Sequence, residues 1–257
     1  MLKELSKSDW LSILGIPKNR IPSVLILHGT RNLKTKYTKY KNLFDNILEV
    51  GSPNGVLEDV LIGDIKGFPV GYASVYGAPM ASEVAHVFGV LGTSLVIQTG
   101  CCGALGDGIA VGDLICATTA YCGEGASQYY LREIEHVDAS TDMVGKIKCK
   151  KFHGNIQIHT GPIYTTSALF AEGKKEIENW YRKGYIGVGM ETATTFAVAK
   201  YFRMKRLSIL FVYDNPMEGS HILMEDSEKN KRRIHGESEM IKLALNMAVD
   251  YAKNNDR

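Results

Sequence analysis

The sequence predicts an α/β fold, with one domain and a mostly parallel or mixed sheet. Three observations support this. Short, near-continuous apolar runs recur along the chain, as expected of strands covered on both faces. Segments with helical spacing separate them. Stretches rich in glycine, or carrying an isolated acid, follow several of the runs, at the strand ends where sheets of this class gather their function.

Taken in order, the first strand is predicted over Ser23–His28 (SVLILH), followed by an amphipathic helix over Thr35–Phe44. Strands follow at Val56–Ile62 and Val70–Tyr76, then a helix at Met80–Leu91, just after Pro79, a residue suited to a first helical turn. Ser94–Thr99, Asp113–Tyr121 and Ile156–Thr160 also read as strands. A helix over Thr192–Phe202 places Ala193, Phe196, Ala197 and Tyr201 on one stripe. Leu207–Tyr213 (LSILFVY) is the most apolar strand, and Ser227–Lys253 holds the C-terminal helix. With no internal repeat and no low-complexity linker, residues 1–257 read as one domain.

Composition narrows the function classes. The chain is 45% hydrophobic and 23% charged, with a net charge of +2, too balanced to suggest a nucleic-acid or membrane surface. The basic runs at 34–41 and 229–233 are short and read as solvated helix faces. No apolar run approaches the ~18 residues of a membrane span, and MLKELSKSDW lacks a signal-type core; the cytoplasm is the expected compartment. Five cysteines, an odd number without a CxxC pair, are expected as buried free thiols, and no metal site is expected.

Three stretches carry candidate chemistry. In GVGMETATTFAVA (187–199) Glu191 is the one charge in a small, apolar segment. It is either a helix N-terminal residue held by the dipole or a partner for something polar that is not protein. VIQTGCCGAL (96–105) reads as a buried strand ending in a turn at Gly100 and Gly103, where backbone N–H groups can approach a ligand or the chain merely turns. It matches neither a P-loop nor a dinucleotide fingerprint. In FVYDNP (211–216) Asp214 leaves the most apolar strand. It is a partly desolvated acid with a raised pKa or the start of an Asx-turn before Pro216.

These stretches occur in an order that resembles the nucleoside phosphorylase family of hexameric purine nucleoside phosphorylases and uridine phosphorylases. The matching segments are residues 76–115, GEGASQYY (123–130), GPIYTTSALF (161–170), 187–199 and 211–216, within a core of about 20–250. The resemblance implies a three-layer α/β/α domain around a distorted mixed β-barrel, assembled as a homodimer or as a hexamer of three dimers. It implies N-glycosidic cleavage of a nucleoside with inorganic phosphate as co-substrate and no cofactor. Glu191 would accept hydrogen bonds from the ribose 2′- and 3′-hydroxyls, and Met190 would pack under sugar and base. Tyr164 would wall the base, with Gly103 and Cys102 beside it. Asp214 would protonate purine N7, assisted by Arg233.

The anion site departs from the family pattern. Gln98 stands where the family keeps an arginine and Cys101 where it keeps Ser or Thr, and the N-terminal loop reads HGTRNLK (28–34). The implied phosphate ligands are therefore Gly29, Arg31, Lys34, Gln98 and Cys101, a weaker set than an arginine clamp. Phosphorolysis of a purine nucleoside is the favoured expectation. A water-using nucleosidase, with His28 the nearby candidate base, and a nucleoside-binding protein without turnover are the alternatives.

Overall fold

The computed structural model describes residues 1–148, 156–224 and 226–255. It contains ten strands in one sheet and seven α-helices among these residues. The sheet centre is parallel: β1 (Val24–Gly29) lies between β4 (Phe68–Val75) and β5 (Leu95–Ala104). Beyond β4 the sheet turns antiparallel through β3 (Val60–Ile65) to the edge strand β2 (Asp45–Glu49).

On its other side β5 enters a closed ring. It pairs in parallel with β10 (Lys205–Asp214), which runs antiparallel to β6 (Leu114–Gly123). β6 pairs in parallel with β8 (Ile158–Thr166), β8 with β9 (Gly187–Gly189), and β9 returns antiparallel to the far end of β5. Five strands thus close a mixed barrel, and β7 (His136–Asp138) adds to β6 outside it.

Helices cover both faces, and β1 shows why. Val24 and Ile26 pack with Tyr37 and Tyr40 of α2 (Leu33–Lys41) and with Met240 and Met247 of α7 (Ser227–Asn255). Leu25 and Leu27 face the opposite way, toward α1 (Lys7–Ile13), α3 (Gly77–Leu91) and α6 (Thr192–Tyr201). With side chains alternating along a strand, an uninterrupted apolar run serves two helical layers at once. α4 (Thr141–Lys148) and α5 (Lys174–Arg182) complete the helices. Among the described residues no helix is long and apolar enough to cross a membrane.

Several expectations shift. The strand expected over Val56–Ile62 begins at Val60, and Val56 is 66% exposed in a turn. It forms a hairpin with β4 through Lys66 (φ 51°) and Gly67 (φ 82°), the paired positive values of a tight hairpin turn. The short strands β2, β7 and β9 and the helices α1, α4 and α5 were not anticipated. α6 has no single apolar stripe: residues 192–199 are all buried, while Tyr201 is 43% exposed. Its layer is covered on both sides, by α3 and by the sheet. Cys101, Cys102, Cys116 and Cys122 are free thiols, Cys101 and Cys122 only half-buried; Cys149 lies outside the described residues.

The largest correction concerns Gly100 and Gly103. β5 does not turn there but continues to Ala104. Gly100 (φ +146°) is the bend at which β5 leaves β1 and takes β9 instead. A Cβ at Gly100 would lie 2.6 Å from the Gly29 carbonyl oxygen, so only glycine allows the crossing. A crevice opens where β1 ends and β5 swings away.

Candidate active site

The crevice forms a cavity of about 100 Å³ at the carboxyl ends of β1, β5, β9 and β10. Its wall includes Gly29, Cys102, Gly103, Met190, Glu191 and Asp214. A second cavity of about 400 Å³ adjoins it and is lined in part by the same Gly29, Arg31 and Cys101, together with Lys36, Arg233 and Glu237.

Glu191 occupies the N-cap position of α6, but its side chain makes no cap bond to that helix. Oε1 instead accepts a 2.8 Å hydrogen bond from the backbone N–H of Gly77, the first residue of α3. α6 obtains a cap from elsewhere, since Thr165 Oγ1 accepts from the Ala193 N–H at 3.0 Å. The carboxylate is thereby free to face the cavity. It is 5% exposed, and burial pushes its pKa up to about 7 against the opposing bonds from the Gly77 and Met190 N–H groups. Gly29 makes room for it: a Cβ there would meet Glu191 Oε2 at 2.6 Å.

Asp214 is held in the same way. A Cβ on Gly103 would approach its Oδ1 to 3.2 Å. The Asx-turn before Pro216 does exist, but Asn215 makes it: its Oδ1 accepts from the N–H groups of Met217 and Glu218. Asp214 is left to the cavity with its pKa raised to about 6 by burial, against the lowering charges of Arg233 and His221.

Arg233 is buried at the inner face of α7. It stacks 4.1 Å over the Tyr213 ring and donates to the Tyr213 carbonyl oxygen at 2.7 Å and to Asn230 Oδ1 at 2.6 Å. It acts on Asp214 through charge, from the second cavity, rather than from the same wall.

Three other expected site residues lie elsewhere. Tyr164 stacks between Trp180 (4.3 Å) and Tyr121 (4.8 Å); it is Val188, its partner in register, that reaches the cavity wall. Lys34 points to Asp59 at 3.3 Å across the Tyr37 ring. Gln98 is consumed in the core, where Nε2 donates to the Thr99 carbonyl oxygen and Oε1 accepts from Thr192 and Ser208. It lines neither cavity, so it presents nothing to an anion there. His28, by contrast, does line the second cavity, but it is 1% exposed, with Nδ1 3.0 Å from Thr99 Oγ1, and burial holds its pKa down to about 3.

Two groups escaped sequence reasoning. Glu172 lies on the cavity wall beyond β8; burial and the charge of Asp214 raise its pKa to about 7. Nothing in LFAEGKK marked it, because the loop folds over the crevice only in three dimensions. Glu237 lines the second cavity, bound by Lys36, Lys39 and Tyr40 and held down to about 2. Its sign was hidden inside a long amphipathic helix.

Known proteins share this arrangement of chain. The sequence model of the Phosphorylase superfamily matches residues 41–247. This chain belongs to that superfamily. A guanosine phosphorylase from Halorubrum lacusprofundi is 30% identical over 56% of this chain and 60% of its own length. A DeoD-type purine nucleoside phosphorylase from Buchnera aphidicola subsp. Schizaphis graminum is 25% identical over 80% of this chain and 94% of its own. The crystal structure of a uridine phosphorylase from Vibrio fischeri superposes with a TM-score of 0.77, covering 98% of this chain and 99% of that one at 23% identity.

Proposed function

We propose that this protein cleaves the N-glycosidic bond of a purine nucleoside, passing the pentose to inorganic phosphate and releasing the free base. The observation that carries the reading is that Glu191 and Asp214, from separate elements, line one cavity, each buried and each seated against a glycine. In this reaction Glu191 accepts hydrogen bonds from the ribose hydroxyls. It steadies the sugar as positive charge grows on it. Asp214 delivers its proton to N7 as the electrons of the C1′–N9 bond move onto the base, so the base leaves neutral. A phosphate oxygen forms the new bond to C1′. Arg31, on the wall of both cavities, and Arg233, on the second, are the cations that meet the anion. Both carboxylate roles act mainly in the transition state, which is the condition for raising a rate. The same reading includes assembly as a homodimer or hexamer, to be measured by light scattering.

Two observations favour hydrolysis as a second reading. Gln98 is turned into the core, and the Glu237 carboxylate lines the cavity where phosphate would sit. Base release from adenosine, inosine, guanosine and uridine, followed with and without phosphate, separates the two. Release that requires phosphate supports phosphorolysis, and phosphate-independent release supports water. Binding without release would leave neither reaction.

A further inference from the structure

The reaction above gives its anion to Arg31 and Arg233, but the wall of the second cavity carries a third cation, Lys36. Lys36 stands near the start of α2, just beyond the end of β1. Its side chain is 22% exposed, and its ammonium donates across to Glu237 Oε1 on α7. Both residues line the cavity, so the ion pair borders the space where phosphate would sit. Their charges also reach the Cys101 thiol, which lines both cavities.

Three cations on this wall face one carboxylate, and His28 beside them is neutral. The cavity therefore keeps a net positive charge that suits an anion. Its cations are engaged in different ways. Arg233 is held by the Tyr213 carbonyl oxygen and Asn230, and Arg31 lies over the Tyr76 and Phe170 rings at 4.8 and 5.3 Å. Those partners are neutral and leave both charges uncancelled. Of the three, Lys36 is the one with a carboxylate against it among the described residues. Glu237 thus holds the place of an anion.

An exchange of partners is open to both members of the pair. Glu237 keeps two further donors, since the Tyr40 hydroxyl donates to Oε1 and Lys39 Nζ to Oε2 at 3.1 Å. Breaking a buried pair is costly when it leaves a charge uncompensated, and here it does not. Lys36 carries its ammonium on a flexible four-carbon stem. We propose that Lys36 binds phosphate together with Arg31 and Arg233, and that Glu237 is its built-in competitor, a carboxylate that incoming phosphate displaces from the Lys36 ammonium. This rests on the reading of phosphate as co-substrate. In this role Glu237 weakens phosphate binding without excluding it.

The test is calorimetric titration of the full chain with inorganic phosphate at pH 7.5, with no nucleoside present. Lys36→Met is expected to weaken binding about tenfold or more, the loss of one charge-assisted hydrogen bond. Lys36→Arg, which keeps the charge, should stay within about threefold of the wild type. Glu237→Gln should bind phosphate about tenfold more tightly, a gain that misfolding cannot produce. In the double variant Lys36→Met with Glu237→Gln the competitor has nothing left to hold, and that gain falls below about threefold relative to Lys36→Met. Wild-type affinity in Lys36→Met, or binding by Glu237→Gln no tighter than by the wild type, overturns the proposal. A tenfold gain that survives in the double variant also overturns it, because Glu237 would then act by simple repulsion. Phosphate binding needs no turnover. Binding that follows Lys36 and Glu237 without base release from nucleosides would sink the reaction and leave this assignment standing, and phosphate-dependent release indifferent to Lys36 would do the reverse.

Discussion

Replacing Glu191 by Gln gives two responses that should move in opposite directions. The carboxyl is buried and its pKa is raised from 4.5 to about 7. A group raised in the folded state contributes stability that is fully present below its unfolded value and is lost as pH rises through its folded value. Between pH 4.5 and 7 the wild type therefore gives up roughly 3 kcal/mol at this site, which glutamine, having no charge, does not. Glutamine keeps an oxygen for the Gly77 N–H, but the bond loses its charge assistance, and the new NH₂ lies against Gly29. Setting ~1–2 kcal/mol against the gain for these losses, the variant should be more stable by about 1–2 kcal/mol at pH 8. In a chain of this size that is a melting-temperature rise of about 2–8 °C, shrinking toward pH 5. The kcat/KM for a purine nucleoside should fall by ~10²–10³-fold, because a neutral amide cannot balance charge developing on the sugar. Thermal melts at pH 5 and pH 8, together with base-release rates, read both quantities. Activity within threefold of wild type would remove Glu191 from the sugar site. A melting temperature several degrees lower at pH 8 would make the carboxylate a structural tie between α3 and α6.

Asp214→Asn should lower kcat/KM for purine nucleosides by ~10²-fold or more and for uridine by less than about threefold, since uridine has no N7; equal losses in the two assays would make the residue structural. Gly29→Ala places a methyl 2.6 Å from Glu191 Oε2; the overpacking should cost about 1–3 kcal/mol in a denaturant titration and displace the carboxylate, lowering base release, and a neutral outcome would mean the crevice is looser than described. Glu237 is held down to about 2, first against burial and then by Lys36 and Tyr40, so its contribution is present above pH 4.5 and lost as pH falls toward 2. Acid unfolding of Glu237→Gln should accordingly be less steep than wild type below pH 4.5, by roughly 1–3 kcal/mol over that range, and parallel acid titrations would count against the clamp.

Much of the scaffold is written locally. The run VLIL is apolar at four successive positions, so any arrangement that buries it needs cover on both faces, and the two helical layers follow. The lone Glu191 and the acid ending FVYD were also visible, because a charge in an apolar segment stands out against its neighbours. β2 was not, since DNILE is an exposed edge strand with no apolar pattern to detect. Glu172 was not, since its significance depends on a loop closing over strands that lie far away in sequence.

The sequence by itself determined the class of fold and marked the two carboxylates that stand without charged neighbours. Only the tertiary structure decided which groups share a cavity. It set Glu172 beside Asp214, seated each catalytic candidate against a glycine from another strand, and turned Gln98 and Tyr164 away. The physical reason is that burial and isolation are properties of a segment, whereas proximity depends on where β5 bends at Gly100 and which strand it meets beyond the bend.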